Sequence, residues 1–142
     1  GSVCSGGRYD NLAEYYTDKK LPGVGISIGI SRILAPLIGK GEFSASRAVP
    51  TCVLVAVDAE ETRSASLDIA ARLRARGIPT EVAPKADKYG RQIRYADRRG
   101  IPYVWFGDSV KDIRSGDQAS ADPDTWMPPA EDLHPVVGIA RA

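Results

Sequence analysis

Apolar positions first gather between Pro22 and Ile38. Residues 22–30, Pro-Gly-Val-Gly-Ile-Ser-Ile-Gly-Ile, predict a buried strand whose glycines let something approach the backbone closely. Ser31–Ile38 continues it as a helix, with Ile33, Leu34, Leu37 and Ile38 at helical spacing. Upstream, Cys4–Asp10 reads as a flexible turn and Asn11–Tyr16 as a short polar helix. Residues 39–47 are polar and glycine-containing; with Pro50 as their end they read as a linker.

From Thr51 the pattern becomes a strand–helix alternation. Cys52–Val57 is an unbroken apolar run, as a strand buried on both faces requires. Glu60–Arg76 is an amphipathic helix with Ile69, Ala70 and Leu73 toward the core, and Arg72, Arg74 and Arg76 flanking or opposing them. Gly77 stands where a helix end favours positive φ. Thr80–Val82 is a short strand, and Asp87 an N-cap for a second helix reaching Arg99, with Gly100 as its stop. Ile101–Phe106 and Val110–Ile113 are further strands, and the turn at 114–117 leads toward a fifth. Beyond it the chain is rich in Pro, Asp and Ala; irregular structure is expected, with a turn of helix at Pro123–Trp126. The order β-α-β-α-β-β implies an α/β fold. Its mixed sheet, covered by helices, is mainly parallel: three parallel strands joined by right-handed crossovers, with an antiparallel hairpin at one side.

Composition narrows the class. A chain of 142 residues buries roughly 68–70% of its unfolded surface, enough for a core without staples. With 43% hydrophobic and 26% charged residues, wholesale disorder is excluded. No apolar run approaches the ~20 residues of a membrane span, and the N-terminus lacks the pattern of a secretory signal. Cys4 and Cys52 form no C-x-x-C, so neither a zinc site nor a disulfide framework is indicated; the expectation is a reduced, cytoplasmic protein. The net charge of +1 hides an asymmetry: residues 85–99 carry six cations against two carboxylates, and residues 100–142 three against seven. A basic stripe beside an acidic tail fits a localised polyanion contact as well as a solvated helix face.

Two segments carry candidate chemistry. Gly6-Gly7-Arg8-Tyr9-Asp10 places a guanidinium, a phenol and a carboxylate together, a set suited to a small zwitterion and equally to a tight turn. Gly23-x-Gly25-x-x-x-Gly29-x-x-Arg32 offers a strand against which a flat ligand can lie, with an arginine that can offset a phosphate. Together these resemble histidyl-tRNA synthetase, a class II aminoacyl-tRNA synthetase family. Residues 5–12 match its histidine-binding motif and residues 22–32 its third class-defining motif. Gly77-Ile-Pro, Gly90-Arg-Gln-Ile-Arg-Tyr-Ala-Asp and Gly100-Ile-Pro-Tyr-Val match its anticodon-binding domain.

The resemblance implies that residues 1–40 are the end of an antiparallel catalytic core, 41–50 a linker and 51–142 the anticodon-binding domain. It assigns Gly7, Arg8 and Tyr9 to the histidine pocket, Gly25, Gly29 and Arg32 to ATP, and to Arg32 the catalytic contact with the triphosphate. It implies ATP with Mg2+ as a substrate of a longer, homodimeric enzyme, histidine tRNA as partner, and no tightly held cofactor in this stretch. The first two class II motifs have no counterpart here, so catalysis by these residues alone is not expected. On the second predicted helix, Lys88, Arg91, Arg94 or Tyr95, and Arg98 share a face, suited to a splayed RNA loop whose bases stack and whose phosphates need neutralising. Tyr89, Ile93 and Ala96 form a second stripe suited to the core. Gln92 can read a base edge or bind water. Lys111, Asp112 and Arg114 can donate and accept at a sheet edge that contacts the anticodon in related class II enzymes. His134 reads as a surface residue, Asp58 as a helix cap, and Trp105 and Trp126 as packing residues. The competing reading is a non-catalytic, synthetase-like module that binds tRNA or protein.

Overall fold

The computed structural model describes residues 2–140. The chain forms two compact units, Gly1–Ser44 with Gly138–Ala142, and Ala45–Val137.

In the first unit, β1 (Cys4–Tyr9) pairs antiparallel with β2 (Gly23–Ile28), from Cys4 opposite Ile28 to Tyr9 opposite Gly23. The glycines of residues 4–10 therefore serve a strand, where the sequence suggested a turn. Residues 11–17 close through turn bonds such as Glu14 N–H to Asn11 O, 3.2 Å, and Tyr16 N–H to Ala13 O, 2.9 Å. The expected helix there is too short to repay its nucleation. Helix α1 (Ile30–Gly39) starts from Gly29 and contains Pro36; none of its residues is buried.

The second unit alternates β4 (Val53–Val55), α2 (Arg63–Ala75), β5 (Thr80–Val82), α3 (Tyr89–Arg99), β6 (Tyr103–Phe106), β7 (Ser109–Asp112) and β8 (Gln118–Ser120). The sheet order is β5-β4-β6-β7-β8, with β4 parallel to β5 and β6, and β7 antiparallel to β6 and β8. This is the mixed sheet that the alternation implied. A third strand, β3 (Phe43–Ala45), lies within the expected linker and pairs with β9 (Val137–Ile139). The short helix α4 (Ala130–Leu133) also stands in the stretch expected to be irregular.

Strand alternation divides the core in two. Val53, Val55, Tyr103, Trp105 and Val110 meet Ala70 and Leu73 of α2 on one face. Leu54 and Val104 meet Ala96 of α3 on the other, together with Ala83 and Ile101. Each fully buried Leu, Ile or Val there contributes about 1.5–3 kcal/mol. Trp126 completes the first face, edge-on to Tyr103 at 5.3 Å and to Trp105 at 5.5 Å. Arg72 of α2 and Arg76, the helix's C-cap residue, hold the segment that carries it. Arg76 donates to the carbonyls of Pro123 (3.1 Å), Thr125 (3.2 Å) and Trp126 (2.5 Å), and Arg72 pairs with Asp124. Cys52 lies in this core, where burial pushes its thiol up to about 11, as its reading as a small hydrophobe implies.

Candidate nucleic-acid interface

Helix α3 is fixed at both ends. Asp87 accepts the Lys88 N–H at 2.8 Å and pairs with Arg91 at 3.1 Å; those two contacts, the backbone bond first, lower its pKa. Gly100 ends the helix at φ +72°, and a Cβ there would come 2.8 Å from the Cβ of Arg47.

Gln92 is buried, 4% exposed, and its amide brackets the backbone of Val57. Its Oε1 accepts the Val57 N–H at 3.0 Å, while Nε2 donates to Val57 O at 2.8 Å and Asp87 O at 2.5 Å. It pins α3 to the end of β4. Its reading as a contact to a base edge is corrected: no polar atom is left over.

Arg91, Arg94, Tyr95 and Arg98 line a groove of about 580 Å³ between α3 and the 83–87 loop, with Pro84 and Lys85 on the far wall. Lys88 does not line it. Asp87 and Asp97 also line it; Arg91 is held by Asp87, while among the described residues no carboxylate lies within ion-pair distance of Lys85, Arg94 or Arg98. The Arg99 guanidinium sits 5.1 Å over the Tyr95 ring. Burial first, then Glu81, raises the pKa of Tyr95. The loop is tied to α2: Arg63 donates to Ala83 O at 2.9 Å, and Glu60, itself bonded to Arg63, accepts the Ala86 N–H at 2.9 Å.

Lys111, Asp112 and Arg114 stand elsewhere. They lie on and just after β7, which the sheet order β5-β4-β6-β7-β8 puts on the far side of β4 and β6 from β5. Arg114 is consumed internally. It donates to Asp112 at 2.7 Å, to both carboxylate oxygens of Asp132 at 2.7 and 2.8 Å, and to Tyr103 Oη at 3.0 Å. These bonds, Asp112 first, raise the arginine's pKa and lower those of both carboxyls. The expectation that Asp112 and Arg114 offer open donors and acceptors is therefore corrected; Lys111 alone of the three lies outside this network. Nor is Tyr89 a core residue: it is half-exposed, edge-on to Phe106 at 4.8 Å, with Asp58 near its hydroxyl. The cap expected of Asp58 is made by Thr62, whose Oγ1 exchanges bonds with Ala59.

In the hairpin unit, register sorts the other candidates. Tyr9, Gly7 and Ser5 share a face with Gly23, Gly25 and Ser27. A Cβ on Gly25 would meet the Tyr9 ring at 2.9 Å, so the ring lies against bare backbone. Arg8 falls on the opposite face, paired with Asp10 at 2.8 Å, and is not brought together with Tyr9. Arg32, in the first turn of α1, donates to Ser2 O at 2.8 Å, and Gly29 sits at the helix N-cap, beyond the strand.

Residues 51–109 match the family model described as an anticodon binding domain, which takes in β4 through α3 and β6. The chain is 60% identical to the histidine–tRNA ligase of Cutibacterium acnes, over 96% of its own length and 32% of that protein. It is 54% identical to that of Micrococcus luteus, over 99% and 32%. The crystal structure of histidyl-tRNA synthetase from Nostoc sp. PCC 7120 superposes with a TM-score of 0.52 at 32% identity, covering 87% of this chain and 31% of that one. The chain thus spans about a third of the length of the relatives it matches. Over that third the chain is similar to histidine–tRNA ligases, and its residues 51–109 match the anticodon binding domain.

Proposed function

We propose that this chain supplies anticodon recognition to a histidine–tRNA ligase, which joins histidine to histidine tRNA at the expense of ATP, in the cytoplasm and as a homodimer. Residues 51–142 bind the anticodon loop, 41–50 link, and 1–40 contribute the end of the catalytic core. The observation that carries this reading is the groove along α3. It falls inside the matched domain and brings three arginines and a tyrosine together on rigid elements. Unstacked RNA needs that combination, because phosphates are neutralised by cations and bases stack on aromatic or guanidinium planes.

In the hairpin unit, Gly7 and Tyr9 contribute to the histidine pocket and Gly25 and Gly29 to the adenosine surface. The flat face bearing Tyr9 and Gly25 favours this assignment. Arg32 offsets triphosphate charge once its contact with Ser2 is exchanged for substrate. Mg2+ would accompany ATP as its counter-ion. Arg8 is assigned to holding the hairpin through Asp10.

The test is binding of histidine tRNA by the full chain across a salt series. Replacing Arg91, Arg94 and Arg98 together by Ala should reduce the slope of log K against log salt by ~0.7 for each lost single-strand phosphate contact. An unchanged slope refutes the assignment. Arg63 is unsuitable as a control because it holds the groove loop; Lys20→Ala, an exposed cation in the hairpin unit, serves instead.

A further inference from the structure

The five-stranded sheet separates its two main helices. Helix α2 packs on the face that carries Val53 and Val55, and α3 on the face that carries Leu54 and Val104. The groove belongs to the α3 side, yet its far wall is held from the α2 side. Glu60, in the short helical turn Glu60–Thr62 that leads into α2, and Arg63, the first residue of α2, form a two-point ion pair at 2.6 and 2.8 Å. Together they reach the backbone of the loop after β5. Arg63 donates to Ala83 O at 2.9 Å and to Pro84 O at 3.4 Å, and Glu60 accepts the Ala86 N–H at 2.9 Å.

These contacts bracket a single residue. Pro84 and Ala86 are tied on either side of Lys85, whose side chain is exposed and has no carboxylate at ion-pair distance among the described residues. Packing does little to fix the loop there, since Pro84 is exposed as well. As a device for fold stability the pair is a poor one: its side chains are 27% and 58% exposed, and ion pairs so open to solvent contribute little. As a device for geometry it is effective, because a planar guanidinium held at two points by a carboxylate fixes direction as well as distance. Backbone that is in place before a polyanion arrives also reduces the ordering cost of binding.

We propose that Glu60 and Arg63 are positioning residues for tRNA binding: from the α2 side of the sheet they clamp the 83–87 loop so that Lys85 stands across the groove from Arg94 and Arg98. They touch no RNA and act on it only through Lys85. The proposal rests on the anticodon-binding reading and adds to it the residues outside the groove that set its charge geometry.

The experiment measures binding of histidine tRNA by the full chain across a salt series, with the backbone amide spectrum showing that each variant is folded. Lys85→Ala should lower the slope of log K against log salt by ~0.7, the loss of one single-strand phosphate contact. Glu60→Ala and Arg63→Ala should each lower it by a similar amount, with amide shifts centred on residues 83–87. Arg63→Lys, which keeps the charge and loses the fork, should fall between the parent and Arg63→Ala. In a Lys85→Ala background, Glu60→Ala should change the affinity by less than ~2-fold, because the residue it positions is already gone. A role confined to stability predicts otherwise: the affinity falls with the slope unchanged, and the loss is fully additive to that of Lys85→Ala. Either result overturns the proposal. If Glu60→Ala and Arg63→Ala bind as the parent does while the Arg91, Arg94 and Arg98 triple variant loses slope, the positioning inference fails and the anticodon reading stands. If the triple variant keeps its slope, the anticodon reading fails and the positioning inference falls with it.

Discussion

Gln92→Leu isolates the bond between α3 and the sheet. In the folded protein the Gln92 amide satisfies the Val57 N–H at 3.0 Å and the Val57 C=O at 2.8 Å, at a site only 4% exposed. Leucine is close in volume and cannot serve either group. Of the three backbone groups that lose a partner, the two on Val57 are buried and are stranded at ~1–3 kcal/mol each, while the Asp87 carbonyl is only part-buried; the apolar burial gained by leucine returns ~1.5 kcal/mol or more of that cost. The expected net loss is about 1–4 kcal/mol. With a urea m-value of ~1–3 kcal/mol/M for a small protein, the midpoint should fall by about 1 M while m stays constant. Trp105, fully buried between the strands and α2, reports unfolding by its fluorescence. A midpoint unchanged within ~0.2 M would refute the clasp, since the stranded groups must then have other partners.

Gly100→Ala should destabilise more than Gly116→Ala. Both glycines have positive φ, worth ~1–2 kcal/mol to an L-residue, but only at Gly100 does the new Cβ strike a neighbour, the Arg47 Cβ at 2.8 Å; equal thermal shifts would argue against that contact. The Glu60 carboxyl, held down to about 2 chiefly by its hydrogen bond to Arg63 and then by the Ala86 N–H, has a folded pKa below its unfolded value of 4.5. Its contribution is therefore complete above pH 4.5 and lost as pH falls toward 2. Glu60→Gln should flatten that part of the acid-stability curve, followed by tryptophan fluorescence, and leave the curve above pH 5 parallel to that of the parent.

The strands and helices of the second unit were legible because each had a single-period signal: Cys52–Val57 has no polar position, and Glu60–Arg76 and Asp87–Arg99 end at glycines that take φ +80° and +72°. Residues 4–9 were misread because a Gly-Gly pair signals a turn locally, and only the pairing with β2 makes it a strand. β3 and β9 are three residues long and stabilise each other across more than ninety positions, so neither carries a pattern of its own. In the candidate site, the stripe of arginines was visible from spacing alone. The groove was not, because its far wall belongs to another segment. Gln92 and Arg114 illustrate the limit most clearly. Polar residue types announce what a side chain can bond, but whether those bonds are already spent depends on partners 35 residues away in one case and 18 in the other.

The chain enters and leaves the second unit side by side. Ser46 N–H donates to Val136 O at 2.9 Å, Val136 N–H returns a bond to Ser46 Oγ at 2.9 Å, and Arg47 reaches the carbonyls of Asp132 and Leu133 at 2.7 and 3.0 Å. Mechanically this is a clasp. Tension applied at the two ends falls first on these few polar bonds, which open one after another like a zip, and the packed strands behind them stay unloaded until it has parted. Adjacent ends also make the stretch transplantable: spliced between two neighbouring positions of a host's surface loop, residues 45–137 would need little added linker to close the graft without strain.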